Sequence, residues 1–190
     1  MPSRAYRRWN TTRARELDHI EAAYTRLKAS GVGGRTATQQ VIHAYVVLLA
    51  AHFQGFCRDL HTDYLVAPVP GVDLQKTARK EFLRDRSLER GNANQPTIGG
   101  DFSRLGVVNF WGLVDVQQTG NNQRRQMLDL LNTWRNAIAH QDFDPARLGG
   151  MTTVPMTRVR GWRRACRKLA VSMDEVMRVH VHTLTGVLPW

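Results

Sequence analysis

The segment over residues 38–64, TQQVIHAYVVLLAAHFQGFCRDLHTDY, constrains the fold more than any other. Its apolar residues recur at helical spacing on two separate faces. Val41, Tyr45, Leu48 and His52 follow one face, and Val46, Leu49, Phe53, Phe56 and Leu60 follow the other. A surface helix of a globular domain hides a single stripe. A helix that is apolar on two faces has to be packed on both, so this segment predicts the central helix of a bundle. Its remaining stripe carries His43, Gln54, Arg58 and His61, which reads either as a solvated edge or as the wall of a cleft. The most apolar part, residues 41–56, is interrupted by His43, His52 and Gln54, too short and too polar a run to span a bilayer.

The rest of the chain supplies partners for that helix and no strand-like alternation. Leu17, Ile20, Tyr24 and Leu27 mark a first helix, with Thr11 or Thr12 as its expected cap and SGVGG (residues 30–34) as its end. APVPG (67–71) reads as a break and residues 73–90 as a short charged helix. GNANQPTIGGDFSRLG (91–106) reads as a long polar loop, and residues 107–114 as a short apolar piece. Residues 123–140 form the most regular pattern, with Met127, Leu131, Trp134 and Ile138 on one stripe. The last helix is expected over 158–185, with Val159, Trp162, Cys166, Leu169, Met173 and Val176 inside. The sum is an all-α bundle of four to five main helices. We expect one domain over 1–190: a basic segment and helix over 1–37, then a core over 38–186.

Charge narrows the choice of partner. Lys and Arg number 27 against 16 Asp and Glu, a net charge of +11. Arg158, Arg160, Arg163, Arg164, Arg167 and Lys168 crowd the start of the last helix, where cations oppose the macrodipole. Together with Arg4, Arg7 and Arg8 they predict a polyanionic partner, RNA or DNA first of all. A compositional bias towards arginine is the alternative reading of the same excess. The basic N-terminus lacks the apolar core of a signal peptide. Cys57 and Cys166 have no zinc-like spacing and read as buried thiols, so a cytoplasmic protein without a membrane partner or cofactor is expected.

The chemistry concentrates in WRNAIAH, residues 134–140. Asn136 and His140 are four apart and share a helix face, and the long side chain of Arg135 reaches round to it. Trp134 and Ile138 point the other way and hold the helix rigid. Imidazole takes and gives protons near neutral pH, guanidinium grips a phosphate and offsets charge that builds on it, and an amide orients either. That set suits cleavage of a phosphodiester without a metal. A plain reading exists too, since a histidine at a helix C-terminus is favoured by the dipole.

RNAIAH resembles the motif of the HEPN superfamily: Arg, a polar residue that is often Asn, three more residues, then His. The long apolar helix upstream and the late helix WRRACRKLAVSMDEVMRVHVHTL agree with it, and the helix order looks most like the RiboL-PSP-HEPN and toxin-like branches, over roughly 38–186. The resemblance implies a metal-independent endoribonuclease, acting as a toxin or antiviral-defence effector. It implies a homodimer whose motif helices meet, and products ending in a 2′,3′-cyclic phosphate and a 5′-hydroxyl. An antitoxin or regulatory protein is a further partner that it suggests. Carried over, Arg135 binds phosphate, His140 is general acid or base, and Asn136 supports them. By their charge, Arg58 and the basic residues of the last helix are expected to contact the RNA. Two departures stand out. Many relatives carry an acidic residue near HFQGF, where this chain has Gln54, unless Asp59 serves instead. Some toxin relatives carry a Tyr two residues after the His, which a partner nucleotidyltransferase modifies, and here Asp142 stands there.

Other candidates are weaker. His180 and His182 lie two apart and point to different sides of a helix, so no metal is expected there. Cys57 with His61 is a formal nucleophile pair, with a buried thiol the plainer reading. Two further functional classes stay open. One is a non-catalytic HEPN-like module that binds RNA or a protein. The other is a DNA-binding helical protein, for which no helix-turn-helix signature is present.

Overall fold

The computed structural model describes residues 1–66 and 76–190, and the described residues form helices joined by turns and loops, with no strand. Helix α1 (Arg4–Arg8) runs through a π-helical turn (Trp9–Arg13) into α2 (Ala14–Ser30). Then follow α3 (Gly34–Val66), α4 (Lys76–Arg84), a 3-10 turn (Ser87–Glu89), α5 (Gln95–Ser103), α6 (Phe110–Gln117), α7 (Asn121–His140) and α8 (Met156–Thr185). Four of these are long, and they form the bundle that the periodicity predicts.

Helix α3 is the central one. It touches α1, α2, α7 and α8, and Val46, Leu49, Phe53, Phe56 and Leu60 are fully buried. By length and composition α3 is also apolar enough to cross a membrane, because at 33 residues it is longer than the run visible in the sequence. Its apolar surface is spent on the other helices of the bundle. One contiguous core runs from Ala5 to Met177, and the whole predicted stripe of α8 lies in it. Cys57 and Cys166 are buried free thiols, and burial pushes both thiols up from their ordinary value.

Three expectations about the elements are corrected. Neither Thr11 nor Thr12 caps the first helix. Ser3 does so for α1, its Oγ accepting from the Tyr6 N–H at 3.0 Å, and the two threonines lie inside the π-helical turn. The wider turn sets Trp9 and Arg13 both inward. Trp9 packs on Phe53 and Phe56, and Arg13 Nη2 reaches Asp59 at 2.9 Å across Gly55, where a Cβ would come within 2.7 Å of it. The polar loop over 91–106 contains α5, capped by Asn94 (Oδ1 accepts from the Thr97 N–H at 2.9 Å) with Pro96 in its first turn. The charged helix is shorter than the pattern suggested. The break at 67–71, the start at Asp73 and Leu74 lie outside the described residues.

Candidate active site

Helix α7 is fixed by its inner stripe. Leu131, Trp134 and Ile138 are buried and Met127 is half-buried. The helix ends at His140, because Gln141 turns into the left-handed region at φ 55°. The Gln141 N–H then donates to the Ile138 carbonyl (3.4 Å), the Asp142 N–H reaches back to the Ala137 carbonyl (3.0 Å), and Gln141 Nε2 donates to Ile138 O at 2.7 Å. These are the paired bonds of a helix stop, usually built on glycine. His140 is exposed, and its ring makes no hydrogen bond among the described residues. Beyond the stop, Phe143 packs between Trp134 and His43, with ring centroids 6.4 and 5.5 Å away, and ties the exit of the motif to α3.

Arg135 and Asn136 meet as the spacing predicts. Arg135 Nη1 donates to Asn136 Oδ1 at 3.1 Å, so the guanidinium turns towards Asn136. A third residue, absent from the sequence reading, joins them: Asn92 Nδ2 donates to the same oxygen at 2.7 Å. Among the described residues Arg135 has no carboxylate partner, so its charge and its remaining N–H donors stay unspent.

The polar stripe of α3 does not line this site as a free wall. Gln54 Nε2 donates to the carbonyls of Leu88 (2.7 Å) and Gly91 (2.9 Å), which clamps the segment that carries Asn92. A carboxylate facing two carbonyls would repel both, so an amide is what this position needs. Asp59 does not replace the missing acid either, since it accepts from Arg8 and Arg13 at 3.3 and 2.9 Å. Arg58 donates to Glu89 at 3.0 Å. His61 is buried against Phe102, and burial lowers its pKa to about 4, which removes it from any open cleft and from partnership with the Cys57 thiol. His43 is half-buried on Phe143, its pKa lowered by desolvation.

The basic start of α8 divides in two. Arg163 is consumed by the fold: it donates to Asp18 (2.7 Å), Tyr45 Oη (3.1 Å), the Ala14 carbonyl (3.2 Å) and Glu21 (3.4 Å). Arg160 also takes Glu21 at 2.7 Å. Arg158, Arg164, Arg167 and Lys168 are exposed and make no ion pair among the described residues. Arg4 and Arg8 pair with Asp63 and Asp59, and Asp142 pairs with Arg147 at 3.0 Å. His180 stacks on Tyr64 with its Nε2 near Leu105 O, and His182 is exposed, so the two do not converge.

The chain matches the RiboL-PSP-HEPN family over residues 10–176. The match begins well before residue 38, where the resemblance in the sequence began, and takes in α2, which the Glu21 network with Tyr45 and Arg163 ties to α3 and α8. No match was found among curated proteins or among solved structures. With most of its length matched, and with an all-helical fold that presents an Arg-Asn-x3-His helix end at its surface, the chain belongs to the RiboL-PSP-HEPN family.

Proposed function

We propose that this protein is a metal-independent endoribonuclease, working as a toxin or antiviral-defence effector in the cytoplasm. HEPN families point to ribonuclease-type or RNA-related work. The observation that carries the finer reading is the state of the three motif side chains. His140 is exposed with no internal partner among the described residues, and the Arg135 guanidinium, which no carboxylate neutralises, is turned on an Asn136 amide oxygen that is already satisfied.

In this reading the ribose 2′-oxygen attacks the adjacent phosphorus as an imidazole removes its proton. The 5′-oxygen leaves and takes a proton from an acid. The products are a 2′,3′-cyclic phosphate and a 5′-hydroxyl. Arg135 holds the phosphate and offsets the charge that grows on its oxygens. The base and the acid act on opposite sides of the phosphorus, and a single His140 cannot stand on both.

A two-fold dimer brings a second His140 and Arg135 to the same phosphate, and it needs only one self-complementary patch. Helix α7 supplies a seam for it: Gln123, Gln126 and His140 are exposed along it, with Leu130 and Thr133 half-buried between them. The polar stripe of α3 adds less to such a face, because the segment over 88–91 covers Gln54 and His61 is buried. An antitoxin or another regulatory protein remains a partner of the same proposal.

A second reading is favoured by the exposed Arg158, Arg164, Arg167 and Lys168: a HEPN-like module that binds RNA without cutting it. One experiment separates the two. Wild type is expected to cleave single-stranded RNA in EDTA, leaving 2′,3′-cyclic ends. His140→Ala and Arg135→Ala are each expected to lose about 100-fold or more in rate, with unchanged thermal unfolding. Mixing the two variants is expected to restore part of the activity if one intact Arg and one intact His from opposite chains suffice. Equal cleavage by wild type and His140→Ala refutes the enzyme, and RNA binding without cleavage leaves the binding module.

A further inference from the structure

We propose that Asn92, forty-four residues before Asn136, is a positioning residue for the ribonuclease site, and that Gln54 holds it in place. The proposal rests on the catalytic reading of Arg135 and His140 given above.

The Asn136 amide oxygen accepts from Asn92 Nδ2 at 2.7 Å and from Arg135 Nη1 at 3.1 Å. An amide oxygen has two lone pairs, so it is saturated. Rotating the amide by half a turn would set its NH2 against two donors, so the two bonds fix which way Asn136 faces. Its Nδ2 then points away from both partners. It makes no hydrogen bond among the described residues, and Asn136 is half-exposed. The arrangement delivers an amide donor and a guanidinium to one spot, each oriented before any phosphate arrives. Neither is restrained by a carboxylate that would compete with phosphate for it.

Asn92 can do this because its segment is pinned from three sides. Gln54 on α3 donates to Leu88 O and Gly91 O. The Asp101 carboxylate on α5 accepts the Ser87 and Leu88 N–H groups, each at 2.8 Å. Asn132, one turn before Asn136 on α7, donates to Ala93 O at 2.9 Å. The Asn94 N–H closes on Asn92 O at 2.9 Å. Segment 87–94 is thus held by α3, α5 and α7 together, and the Asn92 side chain is presented to the motif as a fixed donor. An aspartate at 92 would face the Asn136 oxygen with a second acceptor and break the arrangement at equal volume.

The test is a double-mutant cycle in RNA cleavage. Asn92→Ala and the near-isosteric Asn92→Asp are each expected to lower kcat by about 10-fold or more. KM should stay within about threefold, since the bond matters to the reacting phosphate and not to the length of RNA held elsewhere. Asn136→Ala is expected to lower kcat as well, and adding Asn92→Ala to it should cost nothing further. Gln54→Glu should move kcat in the same direction. Full kcat in Asn92→Ala, or losses that multiply in the double variant, overturns the proposal. A second readout needs no chemistry: the side-chain Nε–H resonance of Arg135 in the RNA-free protein is expected to shift in Asn92→Ala and Gln54→Glu. If wild type does not cleave RNA, the ribonuclease reading falls by itself. The positioning claim then stands on that shift, and an unmoved resonance overturns it.

Discussion

Gln141 occupies a backbone conformation that costs an L-residue about 1–2 kcal/mol. Glycine is the common solution at that point of a helix stop. Here the glutamine also returns a side-chain bond to the Ile138 carbonyl, which offsets part of the strain. Its left-handed turn ends the helix at His140. Gln141→Gly is therefore expected to fold at least as stably as wild type and to keep RNA cleavage. Gln141→Val, β-branched where φ is positive, is expected to lose about 2 kcal/mol in denaturant unfolding and to lower cleavage with it. Full stability in the valine variant would mean that the stop does not depend on the residue there.

At the scale of elements, α8 shows that six adjacent cations are not equivalent. The side of the helix facing α2 and α3 is an internal network, with Arg163 shared among Asp18, Glu21, Tyr45 and the Ala14 carbonyl. Burial pushes the Tyr45 phenol up to about 12, so it stays a hydroxyl that donates to Glu21 and accepts from Arg163. The outward side carries Arg164, Arg167 and Lys168. Arg164→Glu with Arg167→Glu is expected to weaken RNA binding by a similar factor for every sequence and to flatten its salt dependence, because phosphate contacts carry no base information. Arg163→Ala is expected to act differently: a loss of about 1 kcal/mol in stability, from the bonds it makes between α2, α3 and α8. Binding measured against salt concentration, beside thermal unfolding, separates the two. A change in the cleaved sequence on altering Arg164 and Arg167 would place base readout on this helix instead.

At the scale of the whole molecule, a buried histidine sets a pH limit on folding. His61 is desolvated, with Arg86 and Arg104 adding to the fall in its pKa and Asp101 opposing it. The folded value is about 4 against an ordinary 6.5, so the unfolded chain binds the extra proton first. Stability is then full above pH 6.5 and is lost as pH falls towards 4, by at most roughly 3 kcal/mol. The buried carboxyls of Asp63 and Asp174, which desolvation raises, work in the opposite sense. The effect is therefore read as a difference. His61→Phe, which keeps a ring against Phe102, should show a shallower loss of stability than wild type between pH 6.5 and 4. Parallel curves would mean that His61 opens to solvent at little cost.

The sequence by itself determined the helices and the Arg-Asn-x3-His motif, because both are local. Two apolar faces on α3, one on α7 and one on α8 follow from the turn of a helix, and they gave the bundle and its core. Arg135, Asn136 and His140 lie within six residues, so the contact of Arg135 with Asn136 was legible from spacing. Tertiary structure alone decided what surrounds them. Asn92 carries no periodic signal and Gln54 reads only as part of a polar stripe, and Asn92 reaches the motif because α3, α5 and α7 converge on the segment over 87–94, which Gln54 clamps. The burial of His61 on Phe102 and the capture of Arg163 by α2 are likewise contacts between distant segments. The helix α5 was hidden in glycines and polar residues, although Asn94 followed by Gln95-Pro96 is a start signal in its own right. A charged or amide side chain looks the same in a sequence whether it meets water or a partner, and which of these it meets is settled when the helices pack.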